Sequence, residues 1–323
     1  MAVSYEYSIG SVRAREKSLL TRTDIEQLLA CRDERELVTL LTDKGYGKGK
    51  TVEELLSSHS EELWKYLKTT APDFDIFKPF LIQNDAHNFK VTVKGTMADR
   101  DYDALLLSPC TVEHSVMRKA VESRLMGLLP DWLSKFADKA YETLAHTGDA
   151  RLSDAYIDRA VMLEILRLSE GSKSAFLRGY FRNLVFYCDV KTAIRSARTG
   201  ANREYLKRAL IRVEGFRKEA VIAAAMKGYD ALLDTLARFG EYDCSRAIEA
   251  YRESPSAFER WVDNRLNAMC RESCKRVGEG AEPLLGYYLG SETEKKVIHI
   301  IASGIRTKSG ADTIRERLRE IYG

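Results

Sequence analysis

Two short patterns return three times, in the same order, along this chain of 323 residues, and any fold has to honour that recurrence first. The first is Asp43-Lys44-Gly45-Tyr46, then Asp138-Lys139-Ala140-Tyr141, then Met226-Lys227-Gly228-Tyr229, and it reads as a helix-end signature. Its tyrosines lie 95 and 88 residues apart. The second is a helix with a basic stripe. It runs from Asp85 through Asn88, Phe89 and Lys90 to Lys94-Gly95, and returns as Cys188-Asp189-Val190-Lys191 ending with Arg195. A shift of 101 residues carries Lys90 onto Lys191, Lys94 onto Arg195, Phe89 onto Val190 and Val93 onto Ile194. The third copy, Glu294 to His299 and ending near Gly304, keeps the helix type and the acidic lead-in but few of the same residues. The expectation is three diverged copies of one helical unit, spanning 1–105, 106–205 and 206–323, with part of the C-terminal helices packing near the first.

The local signals are helical almost throughout. Thr23 to Glu26 reads as a capping box opening a helix through Leu28 and Leu29, and Asp33 to Glu36 repeats the signal before Leu37, Leu40 and Leu41. Gly45 stops that helix. Thr51 to Glu54 opens another and Ser58 to Glu61 one more, ending before Pro72. Pro79 suits a first helical position, Ile82, Ala86, Phe89 and Val93 form one stripe, and Gly95 closes the helix. Ser153 is placed to cap a helix carrying Ile157, Val161 and Ile165; Ser309 is placed to cap the last, with Ile314, Leu318 and Ile321 on one face. No run shows convincing period-two alternation. Leu, Ala, Glu, Arg and Lys outnumber the β-branched residues and only six prolines occur, so the predicted fold class is all-α.

Composition removes several function classes. A net charge of +3, from 51 basic and 48 acidic side chains, is too small to argue for nucleic acid or for a strongly anionic membrane surface. Six scattered cysteines and a start without an apolar central stretch predict reduced thiols in a cytoplasmic protein. No run of about 18 apolar residues exists, so no membrane-spanning helix is expected.

The candidate chemistry is thin. Gly49-Lys50-Thr51 resembles the end of a phosphate-binding loop, but the glycine required five positions earlier is Lys44 and the preceding residues read as helix. Cys270 and Cys274 share a helix face at i, i+4, too few ligands for structural zinc. The histidines 59, 87, 114, 146 and 299 show no metal-ligand spacing. Asp154 and Asp158 place two carboxylates on one helix face, as in magnesium-dependent helical synthases, yet no second acidic motif accompanies them and a solvated first turn accounts for them. No catalytic, cofactor or metal residues are predicted. The candidate interface is the basic row Lys90, Lys94, Lys191 and Arg195, read either as positive charge facing a partner or as neutralisation of acids on neighbouring helices.

The C-terminal stretch from Pro283 to Gly304 resembles the signature of the C subunit of the archaeal and bacterial A/V-type ATPases, the counterpart of the d subunit of eukaryotic V-ATPases. Tyr288-Leu289, Glu292, Glu294, Ile298 and Ile301 match it; His299 stands where the family usually has arginine and Val297 where it often has asparagine. Ile314 to Leu318, Tyr322, Tyr5 and Tyr7, Val12 to Arg15, Leu19-Leu20 and the Asp85/Asn88/Lys90 helix are similar to the family too. The resemblance implies a funnel of three similar helical domains about a pseudo-threefold axis. Its mouth would receive the D and F subunits of the central stalk, and its other face would sit on the cytoplasmic side of the membrane proteolipid ring. It implies one copy per complex, turning with the rotor in an ion-translocating ATPase, without catalytic residues or cofactors. The other expectation is a cytoplasmic helical adaptor of repeat type; a period near 100 residues is long for its usual two-helix units.

Overall fold

The computed structural model describes residues 4–200 and 202–323; every regular element among them is helical, and no strand occurs. The elements are α1 (Tyr5–Glu16), α2 (Arg22–Leu29), α3 (Glu34–Asp43), α4 (Val52–Thr70), α5 (Lys78–Met97), α6 (His114–Glu122), α7 (Asp131–Thr147) and α8 (Ala150–Glu170). They continue as α9 (Ala175–Arg198), α10 (Arg203–Ala209), α11 (Lys218–Lys227), α12 (Tyr229–Leu236), α13 (Cys244–Glu253), α14 (Pro255–Cys274), α15 (Glu282–Arg306) and α16 (Ala311–Arg315). The chain divides into two compact units, one made of its two ends, up to residue 74 and from 249 onward, the other of residues 75–248.

In the unit built from the ends, α15 is the central element. It packs against α1, α2, α3, α4, α14 and α16. Of its residues, Leu284, Leu285, Val297, Ile298, Ile301 and Ala302 are wholly buried. Leu28, Leu37, Leu41, Val52 and Leu55 close the same core from α2, α3 and α4. In the middle unit, α7 lies along α8, and α8 is flanked by α5 and α9. An aromatic seam fills it: Phe80 meets Phe181 at 4.9 Å between ring centroids, and Phe186 meets Phe216 edge-on at 5.6 Å.

The cap signals are right in kind more often than in position. Asp33 and Thr51 cap α3 and α4 as expected, accepting from the Glu36 and Glu54 amides at 2.9 and 3.2 Å. Gly45, at φ +90°, ends α3. The first box starts two residues early, with Thr21 and Asp24 bonded reciprocally, because that start buries Ile25, Leu28 and Leu29 together and brings Asp24 to Lys44. Ser58 opens nothing: α4 is continuous, since no breaker interrupts its stripe of Leu55, Leu56, Leu63 and Leu67. Asp149, not Ser153, caps α8; Ser153 is buried and donates to the Ala140 carbonyl at 2.8 Å.

Three further expectations give way. Gly95 does not close α5, which runs on to Met97; the glycine is there because the Tyr102 ring lies where a Cβ would be. Ser309 caps no helix: Gly310 precedes the five-residue α16, and residues 318–323 run without helical structure along α14. Of the helix-end signatures, the first ends α3 and the third separates α11 from α12 with Gly228 at φ +127°, but Asp138 to Tyr141 lies inside α7. There Ala140 replaces the glycine, and alanine favours continuing the helix over a left-handed stop.

Candidate functional site

Three long helices, α5, α9 and α15, each carry a buried polar side chain that clasps the backbone of a loop. On α5, Asn88 is wholly buried and bonds Leu107 twice, its amide nitrogen donating to the carbonyl at 2.9 Å and its oxygen accepting the backbone N–H at 2.7 Å. One turn earlier, Asp85 accepts from the Thr111 and Val112 amides at 2.8 and 3.0 Å and from the Thr111 hydroxyl at 2.5 Å. On α9, Asp189 accepts from the Ile211 amide at 2.8 Å. On α15, Glu294 accepts from the Leu20 amide at 2.5 Å and from the Tyr46 hydroxyl at 2.7 Å.

Asn88, Asp189 and Glu294 are 101 and 105 residues apart, and each holds the segment leading toward a following helix, α6, α11 or α2. A buried carboxyl or amide left without partners costs about 1–3 kcal/mol, so each clasp fixes its loop. Burial pushes the Asp189 carboxyl up to about 8 and that of Glu294 up to about 7, against the hydrogen bonds that favour the ionised forms. Burial likewise raises Asp85. The acidic lead-in is visible in the sequence, but its role is not. The available signal is a polar residue of fixed register, two positions before the base, on a helix otherwise apolar at that face.

The basic row divides. Lys90 bonds Asp158 and Lys94 bonds Asp154, each at 2.7 Å, from α5 across to α8. The acid pair and half the basic row are therefore one set of cross-helix ion pairs, partly exposed and worth about 0.2–1 kcal/mol each. Lys191 is half-buried and Arg195 exposed, both on α9. In the register of the clasps, Lys296 stands at the position of Lys90 and Lys191, and it bonds Asp263 of α14 at 2.9 Å. His299, exposed one turn further on, is not the third base.

The remaining candidates take part in capping, packing and loop contacts. Thr51 caps α4, and the Lys50 amide donates to Glu54 at 2.7 Å, so the glycine-rich turn serves a helix start. Cys270 and Cys274 are buried side by side on α14, and no disulfide forms among the described residues. His59 stacks on Tyr46 at 4.5 Å; His87 and His114 bond the Leu105 and Leu107 carbonyls at 3.0 and 3.1 Å. Among the described residues, no three His, Cys, Asp or Glu side chains are placed to hold a metal ion, and no helix is long and apolar enough to cross a membrane.

The family model described as "ATP synthase (C/AC39) subunit" matches residues 8–317. The C subunit of the V-type sodium ATPase of Enterococcus hirae is 22% identical over 329 residues, covering 96% of this chain and 97% of that protein. The C subunit of the A-type ATP synthase of Methanothermobacter thermautotrophicus is 22% identical over 330 residues, covering 94% and 84%.

Proposed function

Because this chain belongs to the ATP synthase (C/AC39) subunit family, an accessory subunit of V- and A-type rotary ATPases, we propose that it couples the central shaft of such an enzyme to its membrane ring. One face receives the D and F subunits of the stalk; the other rests on the cytoplasmic side of the proteolipid ring. A single copy turns with the rotor and carries torque without catalytic residues or a cofactor. The chain is read as three helical repeats, 1–105, 106–205 and 206–323.

The observation that carries this reading is the clasp at Asn88, Asp189 and Glu294, recurring on three long helices in one chain. A torque coupler has to resist shear between its helices, and buried, fully satisfied polar anchors resist it better than apolar contacts that slide. The experiment is co-expression with the stalk and ring subunits of the same organism. The chain should co-purify with both; recovery of an intact ATPase lacking this chain would remove the proposal. A finer test addresses the interface row. Reversing Lys90 and Lys191 to Glu should weaken stalk binding at low salt, and unchanged affinity in a folded variant would remove the interface role of those bases.

A further inference from the structure

The charge of the chain is not spread evenly. Between positions 190 and 220, nine basic side chains accompany only three acidic ones, Glu204, Glu214 and Glu219, so this short stretch carries twice the net charge of the whole molecule. The fold gathers it. Short α10 lies across α8 and touches α9 and α11. Arg195 and Arg198 at the end of α9, Arg203, Lys207 and Arg208 on α10, and Arg212 beyond it are all exposed. Arg151 of α8 joins them, its guanidinium 4.6 Å from the centre of the Tyr205 ring and bonded to the Ser196 hydroxyl at 3.5 Å. Arg208 donates to the Tyr156 hydroxyl at 3.1 Å. The acids offset little: Glu204 pairs with Lys207 at 3.0 Å, Glu219 is 3.9 Å from Arg203, and Glu214 turns to Arg182 at 3.4 Å.

We propose that this arginine-rich face of α9, α10 and the segment after it binds the anionic headgroups of a phospholipid bilayer. Two observations select that partner over an acidic protein. Guanidinium forks grip phosphate oxygens two at a time, and here arginine outnumbers lysine on the exposed face. The patch also lacks the apolar anchor that a protein interface needs at its centre: none of the exposed large hydrophobics of the described residues falls on α9, on α10 or on the segment after it. A surface held by charge alone suits a fluid anionic sheet. Stacking on Tyr205 and bonding to Tyr156 hold two of the guanidinium groups out in advance, which lowers the ordering cost of binding.

The proposal rests on the membrane-coupled reading only for bringing the chain near a bilayer. Its test is separate: sedimentation of the purified chain with vesicles of phosphatidylcholine alone or mixed in equal parts with phosphatidylglycerol. The chain should bind the mixed vesicles at low ionic strength, leave the neutral ones free, and dissociate in molar salt, where screening acts within about 3 Å. Removing one basic charge should weaken binding roughly fivefold, so Arg203→Gln with Arg212→Gln should weaken it about twenty-five-fold. Lys135→Gln with Lys139→Gln, on exposed positions of α7, should change nothing. Absence of binding to the mixed vesicles, equal loss with the α7 pair, or equal affinity for duplex DNA would each overturn it. So would a patch variant that binds vesicles normally but fails to assemble with stalk and ring, since the face would then serve a protein. Failure to co-purify with those subunits, with vesicle binding intact, would count against the coupling role alone.

Discussion

At Glu294 folding and chemistry pull against each other. It is almost wholly buried, no cation among the described residues touches it, and two donors hold it beside the apolar side chains of α2, α3 and α15. Burial raises its pKa from 4.5 to about 7, so between those values the folded chain binds more protons than the unfolded one. Stability from this group is therefore full at low pH and declines as pH rises through about 7. Asp24 acts in the opposite sense: its bond from Lys44 lowers it from 3.8 to about 2, giving stability that is present above 3.8 and lost as pH falls toward 2. Replacing Glu294 with Gln keeps an acceptor for the Leu20 amide and removes the buried charge. The variant should be more stable than the parent at pH 8 by about 1–3 kcal/mol and close to it at pH 5. Urea midpoints at the two pH values decide this; an unchanged pH slope would move the titration elsewhere. Tyr46→Phe strips one donor from the same carboxylate and should cost about 1–3 kcal/mol at pH 8, read from the same unfolding curves. Asn88 is the natural comparison, a neutral side chain making the clasp on α5 without a titrating group.

Helices are legible in the sequence because caps and stripes are local, and the misplaced boundaries have local causes. Thr51 is placed correctly, since one hydroxyl and one amide three residues on suffice to define a cap. Thr51→Ala should cost about 1 kcal/mol, measurable as a shift in the denaturation midpoint. Gly95 misleads, because a glycine near a helix end signals a stop equally well as a close approach, and only Tyr102, placed by the following loop, decides between them. Gly95→Ala keeps the better helix former yet drives a methyl into that ring. It should destabilise by about 1–3 kcal/mol, whereas the same exchange at a mid-helix glycine with open space beside it would gain stability. The sign of the measured change therefore tests whether the Tyr102 ring is what requires the glycine. The ion pairs Lys90–Asp158 and Lys94–Asp154 are likewise visible in the sequence only as halves, a basic row and an acid pair 68 and 60 residues apart.

At the scale of the molecule, the C-terminal end is held by α14 and α15. Asn267 and Arg271 of α14 and Lys275 just after it donate to the Glu320, Ile321 and Tyr322 carbonyls at 3.0, 3.0 and 3.2 Å, and the Tyr322 ring fills the space left by Gly286 and Gly290 on α15. Truncating that ring with Tyr322→Ala should cost about 3–5 kcal/mol, and deleting residues 316–323 more, in thermal unfolding of the full chain. Sequence alone determined the helical class, the family signature from Tyr288 to Ile301 and the recurrence of a polar–apolar–basic register, because periodicity and caps act over a few residues. The tertiary structure decided what that register does. Burial of Asn88, Asp189 and Glu294 depends on which loops return to α5, α9 and α15, and the Glu294 clasp joins residues 274 positions apart. No local pattern can state such a contact, and the raised pKa of the carboxyl exists only once water has been excluded from around it.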